Sequence, residues 1–362
     1  MQSDEISEIQ RTQGIVGRRR ELRQALAALR SKRHLLIEGT VGVGKTILAL
    51  GVTKHLGRPF VRVDGDERYT EQKLTGWFDP PLIMEKGYSQ DAFLEGPLVN
   101  AMTSGGVLFI NELNRMPEGV QNILLPAMDE RRIEIPKIGT IEAREEFAIV
   151  ATQNPLEFIA TSALSEALRD RFEVVTLDYQ NEDEEKSIVS QNVQTENQTL
   201  IDLVVKVVRA TRVHPEIKRG ASVRAAIGTL QLCLNLSGTL VEALHEAASM
   251  ALPTRIEMKD DATKTTQEVI EEIVRVSLKD AQISRQELGE HSSAPGRDRP
   301  ETMIGPLTEA VDPADRLREL LGLDSTTSEA IGWAVAHNYS TVKANITDPR
   351  LLEYAKRLAL RT

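Results

Sequence analysis

The segment GTVGVGKT, residues 39–46, constrains this chain more than any other. It follows the apolar run HLLIE and precedes ILALGVTKHL, so it joins a buried strand to a helix. A glycine-rich loop in that context curls backbone N–H groups around phosphate oxygens, and the helix N-terminus adds partial positive charge. Gly39, Gly42 and Gly44 permit the curl, with Thr40, Val41 and Val43 between them. Lys45 is placed to reach the β and γ phosphates, and the Thr46 hydroxyl to face Mg²⁺. The segment alone establishes a nucleoside triphosphate site and no more.

The surrounding texture extends the strand–loop–helix unit. Short apolar runs recur at HLLIEG (34–39), FVRVDG (60–65), GVLFINE (106–112), EFAIVATQN (146–154) and FEVVTLDY (172–179), separated by helix-like stretches. Five such runs with crossovers predict a largely parallel sheet flanked by helices, an α/β fold with its ligands at the carboxyl ends of the strands. Ahead of it, GRRRELRQALAALRSKR (17–33) carries Leu22, Leu26 and Leu29 at helical spacing. Two segments interrupt the pattern. Residues 76–97 are rich in Gly, Pro and aromatics and read as loop with a short helix; 131–145 read as a β-hairpin, with Ile133 and Ile135 alternating with polar residues.

After residue 180 the strand texture ends. Five segments of helical spacing between 181 and 285 predict an all-α domain. Residues 286–311 lack periodicity and read as a linker. Residues 312–362 offer short helices, with Asp312 and Asp348 as caps before Pro; Trp333 and Tyr339 there more often mean core than recognition.

Composition narrows the function classes. Aromatics are 4% of 362 residues, so Leu, Ile, Val and Ala must fill the core, which suits helix-rich packing. The formal charge of −10 gives no general attraction for nucleic acid or an anionic membrane. The single cysteine, Cys233, rules out an internal disulfide and a cysteine-based metal site. With no apolar leader and no spanning run, the expected compartment is cytoplasmic.

Further segments carry polar groups to strand ends. GGVLFINELNR (105–115) delivers Asn111 and Glu112, and Glu112 is a candidate to orient and deprotonate an attacking water. IVATQNP ends in Asn154, which could hydrogen-bond that water or the γ-phosphate; taken alone, QNP is equally a turn. SEALRDRF (165–172) holds Arg169 and Arg171 before a strand, where an arginine could reach a neighbouring subunit's phosphate; alone, RDR reads as a solvated helix end. RGASVRAA (219–226) places Arg224 near a helix start, in isolation an ordinary surface arginine.

Taken in order, LIEGTVGVGKT, LTGWFDP, FLEGPL, INELNRMPEGVQNILLPAMDERRI, ATQNPLEF, LSEALRDRF and RGASVRAA resemble the MoxR family of AAA+ ATPases, over roughly residues 14–280. The resemblance implies a P-loop core (1–180), a lid (181–285), the linker and a C-terminal extension (312–362). It implies Walker A at Gly39–Thr46 and Walker B at Asn111 and Glu112. Asn154 takes the sensor 1 position and Arg224 sensor 2, while Arg171 is the arginine finger with Arg169 in reserve. Val16 and Gly17, within GIVGR, fall in the segment lining the adenine pocket. Residues 76–97 match the helix-2 insert and 131–145 the pre-sensor-1 hairpin. ALPTRIEM (251–258) is also similar to the lid of magnesium-chelatase ATPase subunits. The implied cofactors are ATP and Mg²⁺. The implied assembly is a homo-oligomer, a hexameric ring remodelling a client that carries a von Willebrand factor A domain.

The sequence departs from that pattern at residue 111, where the family has Asp. The amide can still accept a hydrogen bond from a metal-bound water, but one negative charge is lost beside the cation. The expectation is slow or Mg²⁺-demanding ATP hydrolysis, with reversion to Asp raising turnover. Two alternatives stand beside the remodelling ATPase. One is a nucleotide-gated assembly factor, supported by Asn111. The other is a DNA translocase, supported by Arg131, Arg132 and Lys137 and opposed by the acidic balance.

Overall fold

The structure is a computed structural model that describes residues 2–155 and 164–280. The chain divides into two compact units, Met1–Gly289 and Glu290–Thr362, and every described residue lies in the first. The expected linker, the C-terminal helices with Asp312, Trp333, Tyr339 and Asp348, and the end of ATQNPLEF lie outside the described residues.

Two helices lead in, α1 (Gln2–Gln13) and α2 (Arg19–Arg30). Strand β1 (His34–Gly39) then runs into the glycine loop and α3 (Lys45–His55). After β2 (Phe60–Asp64) come α4 (Glu71–Thr75), β3 (Gly76–Phe78), α5 (Pro80–Lys86), β4 (Phe93–Glu95) and α6 (Pro97–Ser104). Strand β5 (Val107–Asn111) is followed by α7 (Glu118–Asn122) and α8 (Leu124–Asp129). The hairpin is β6 (Arg132–Ile135) with β7 (Gly139–Glu142), and β8 (Ala148–Gln153), α9 (Glu166–Arg169) and β9 (Phe172–Leu177) complete the α/β part.

The five long strands form one parallel sheet in the order β2-β5-β8-β1-β9. The inner strands β5, β8 and β1 read as continuous apolar runs because both faces are covered, whereas the edge strands β2 and β9 bury only some of their positions. Leu35, Ile37, Val107, Phe109, Ala148 and Val150 pack under α1–α3, while Leu36, Leu108, Ile110, Ile149 and Ala151 face α6, α8 and the hairpin. Strands β1, β5 and β8 all point their carboxyl ends at one edge, where the glycine loop, Glu112 and Asn154 gather.

The helical part comprises α10 (Glu182–Val193), α11 (Gln198–Ala210), α12 (Val223–Cys233), α13 (Leu240–Ala251) and α14 (Thr266–Asp280) around a separate apolar core. Asn181, Asn197 and Thr239 cap three of these helices by accepting N–H groups of the first turn, and Thr239 with Glu242 forms a capping box. A short antiparallel pair, β10 (Ile217–Arg219) with β11 (Glu257–Met258), crosses this domain. Glu185, inside this domain and with its side chain 3% exposed, bonds Arg209 and Arg212 at 3.1 and 2.9 Å, the two arginines that reach back to residues 179 and 180. Arg209 also donates to the Gln180 carbonyl at 3.0 Å, and Arg212 lies 3.9 Å over the Tyr179 ring. Cys233 is buried, and burial pushes its thiol up to about 12.

Three details differ from the sequence reading. Residues 2–13 are helical on the strength of two apolar side chains, Ile6 and Ile9, that reach the core. Residues 76–97 contain a strand pair, β3 with β4, flanking α5, rather than loop and helix alone. In the hairpin, Arg131 donates to the Arg144 and Glu145 carbonyls and Arg132 pairs with Glu130, so both arginines are turned into intramolecular contacts. No helix among the described residues is long and apolar enough to cross a membrane.

Candidate functional site

The glycine loop is held by neighbours on both sides. Gly44 has φ +96° at the N-terminus of α3, a left-handed conformation that costs little only without a side chain. Gly42 has φ +85°, and a Cβ there would run into the Ser222 hydroxyl, with Arg224 Cδ 3.6 Å away. The start of α12 therefore lies directly over the loop, and Arg224 is brought to it from the helical domain. Lys45 Nζ curls back to donate to the Gly39 and Thr40 carbonyls at 2.6 and 3.0 Å. The buried Thr40 hydroxyl has no hydrogen-bond partner in the protein.

Beside the loop lies a cleft of about 240 Å³. Its walls are apolar, with Ile15, Val16, Val43, Leu48, Ile188 and Ile227, and its rim carries Gln180, Gln191, Asn192 and Arg224. Apolar slabs with amide edges suit a flat heteroaromatic base, and the loop places phosphates at one end. The chain fits the nucleotide: the glycine backbone at the cleft and the Lys45 ammonium in the same loop are the donors that phosphate oxygens require. Val16 lines this cleft. Gly17 takes a different position, backed so closely by the Glu184 carboxylate that a Cβ would collide with it. Its neighbour Arg18, not singled out in the sequence, lines the cleft and donates to the Val43 carbonyl at 3.0 Å and the Asp178 carbonyl at 2.6 Å. The signal was present in GIVGR, but only the partners reveal that this guanidinium ties the loop to the end of β9.

At the tip of β5, Glu112 adopts φ 58°, ψ 53°, an uncommon conformation for a non-glycine residue, and its carboxylate pairs with Arg115 at 2.9 Å. Asn154, at the end of β8, is buried. From Glu112 to Asp64 runs a directional chain. The Glu112 N–H donates to Thr152 Oγ1 at 2.9 Å, and Thr152 Oγ1 donates to Asn111 Oδ1 at 3.0 Å. Asn111 Nδ2 donates to Asp64 Oδ1 at 3.0 Å. Neither Thr152 nor Asp64 was anticipated, although FVRVDG visibly ends a strand in an acid. The Arg62 guanidinium beside Asp64, helped by Asn111, holds its carboxyl below the usual carboxylate range. For a cation, the chain offers the Thr46 hydroxyl and the Asn111 oxygen, a hard-oxygen set compatible with Mg²⁺ whose remaining ligands are phosphate and water. Among the described residues no cluster of three or more His, Cys, Asp and Glu forms a protein-only metal cage.

Arg171 is not among the residues lining the cleft. It pairs with Asp129 at the end of α8 and donates to the Ala167 carbonyl. Arg169 is exposed at the end of α9. The structure thus brings together the glycine loop, Val16 and Arg224 at the cleft, and sets Asn111, Glu112 and Asn154 on neighbouring strand ends of one sheet edge.

Residues 34–172 match a family described as AAA domain (dynein-related subfamily). Among curated relatives, the gas vesicle ATPase GvpN1 of Halobacterium salinarum is 26% identical over 267 residues, covering 69% of this chain and 74% of its own. The chaperone MoxR1 of Mycobacterium tuberculosis is 30% identical over 258 residues, covering 62% of this chain and 66% of its own. The uncharacterized protein YeaC of Bacillus subtilis is 27% identical over 245 residues, covering 60% and 73%.

Proposed function

This chain is a MoxR-like AAA+ ATPase, and from that premise we propose that it works as an oligomeric ring whose ATP cycle remodels or matures a client protein. The observation that carries the reading is the convergence of Arg224 and Ser222 from the helical domain onto Gly42 of the glycine loop. Nucleotide bound there would touch both domains, so its hydrolysis can change the angle between them.

The roles follow from position. Backbone N–H groups of 39–46 and the Lys45 ammonium hold the phosphates, and Arg224 closes over them from α12. Glu112 orients and deprotonates the attacking water, with Asn154 on the adjacent strand end holding it in line. Mg²⁺, when bound, would neutralise charge on the β and γ phosphates; Thr46 and Asn111 are the residues that would face it. Among the described residues, Arg224 and Arg18 line the cleft and Arg115 is held by Glu112, while Arg171 pairs with Asp129 away from the cleft. It fits a finger delivered to a neighbouring protomer, worth about 10³–10⁵ in turnover where such fingers have been measured. The client reading draws on the chaperone relative and on the exposed Trp77, Met84, Tyr88 and Leu94 of the 76–97 insert, which offer apolar contacts to a polypeptide. A von Willebrand factor A domain in that client is the family expectation.

Mixed oligomers test the scheme. Lys45→Ala and Arg171→Ala proteins should each be nearly inactive, while their mixture regains part of the ATPase rate because an intact site can meet an intact finger. No regain on mixing, at any concentration that supports assembly, would refute the shared site. A nucleotide-gated assembly factor is the second reading, favoured by Asn111. Glu112→Gln decides between them: it should stop a remodelling motor and leave a binding switch working.

A further inference from the structure

The geometry points to Asp64 as the carboxylate partner of the cation side of this site: it fixes the orientation of the Asn111 amide and carries the negative charge that position 111 lacks. The inference rests on the nucleotide-site reading above and goes beyond it in assigning a residue on a different strand.

Strands β2 and β5 are parallel neighbours, and Asp64 is the direct cross-strand partner of Asn111. The loop after β2 is latched at the same level, since the Gly65 N–H donates to the Asn111 carbonyl at 2.7 Å. The two side chains then meet at 3.0 Å, Nδ2 to Oδ1. A carboxylate only accepts, so it admits one orientation of the amide. The opposite side agrees independently. Thr152 Oγ1 accepts the Glu112 N–H at 2.9 Å, which leaves its own hydrogen for Asn111 Oδ1 at 3.0 Å. A flipped amide would set oxygen against carboxylate and leave the Thr152 hydroxyl facing an NH₂ group. With the orientation fixed, the amide oxygen is turned to the β8 side, the side from which β1 and its glycine loop are reached, and it keeps a second lone pair.

The charge is displaced by one strand spacing, about 4.8 Å, and coupled through the polarised amide. Arg62 competes for it, holding the same carboxylate Oδ1 at 2.7 Å, although both side chains of that pair are at least half exposed. The arrangement also explains why an acid at 111 is disfavoured here. Aspartate at that position would stand against Asp64 at hydrogen-bond distance with no proton between them, and two like charges so placed repel. Under this assignment, any gain from Asn111→Asp depends on changing Asp64 as well.

The test is the Mg²⁺ concentration giving half-maximal binding of a fluorescent ATP analogue, measured on the full chain alongside binding in EDTA. Asp64→Asn should raise that midpoint about fivefold, the effect of one charge acting on a divalent cation through a largely aqueous path. Asn111→Asp alone should not lower it. The exchanged pair, Asp64→Asn with Asn111→Asp, should return it to within about twofold of the parent, so the two changes are strongly non-additive. Arg62→Gln, which frees the carboxylate without touching the pair, should move the midpoint down. An unchanged midpoint in Asp64→Asn, or simple additivity of the two substitutions, overturns the assignment. Parent protein that binds no analogue with Mg²⁺ or with EDTA overturns the nucleotide-site reading itself, and this inference with it.

Discussion

Replacing His34 with Asn should flatten the loss of stability that the parent suffers between pH 7.5 and pH 5. His34 opens β1 and is 6% exposed, packed edge-on against Phe147 and Phe172 at ring-centroid distances of 6.1 and 6.5 Å. Its Nδ1 accepts the Ile149 N–H at 2.9 Å, a role open only to an unprotonated nitrogen. Burial pushes the imidazole down to about 4 from its usual 6.5, against the opposing pull of the Met128 carbonyl. The unfolded chain therefore takes up a proton that the folded chain refuses. The contribution is fully present above pH 6.5 and is lost as pH falls toward 4. At pH 5 the two affinities differ in proton uptake by an amount equivalent to about 2 kcal/mol, approaching about 3 kcal/mol near pH 4. Asparagine can present its oxygen to the Ile149 N–H and does not titrate. Urea unfolding at pH 7.5, 6 and 5 reads the difference. The variant starts lower, having lost ring packing, but should fall by about 2 kcal/mol less than the parent across that range. Parallel pH profiles would refute the reasoning, because they would mean that His34 protonates equally in both states.

Two other substitutions test the fastening of the helical domain and of its loop contact. Glu185→Ala leaves Arg209 and Arg212 without their buried carboxylate and should cost about 3–5 kcal/mol, read by chemical denaturation; Glu185→Gln should recover part of it by accepting one of the two bonds. Gly42→Ala forces a side chain into the left-handed region and against Ser222, a cost of about 1–3 kcal/mol from the backbone alone. Nucleotide affinity should fall with it, and pairing it with Ser222→Gly should restore only the part due to the collision, as measured by titration with the fluorescent analogue.

Much of the fold was legible because parallel strands covered on both faces must be apolar throughout. HLLIEG, VLFIN and AIVATQ of the inner strands could hardly be anything else, and the glycine loop fixes which strand comes first. Strands of two or three residues were not legible: β3, β4, β10 and β11 are made by pairing with distant segments, and nothing in GWF or IKR demands it. Helix α1 escaped for a related reason, since two isoleucines in a polar stretch give little periodicity until the core they enter is known. The apolar runs that precede them put Glu112 and Asn154 at strand ends in the sequence, and that is where they lie. Asp64 and Thr152 required the register of three strands, which a linear pattern does not contain. Arg18 was not legible within GIVGR, because a guanidinium that bonds two carbonyls looks in sequence like any surface arginine.

The shared wall above Gly42 has a thermodynamic corollary. A ligand seated between the glycine loop and α12 experiences the hinge and the hinge experiences the ligand, by the same factor in each direction. Under the proposed function, a client or neighbouring protomer that held the helical domain open would weaken nucleotide binding to the degree that nucleotide opposes the opening. Under that same proposal a load on the helical domain would itself be a nucleotide-release signal, with no additional messenger between the two.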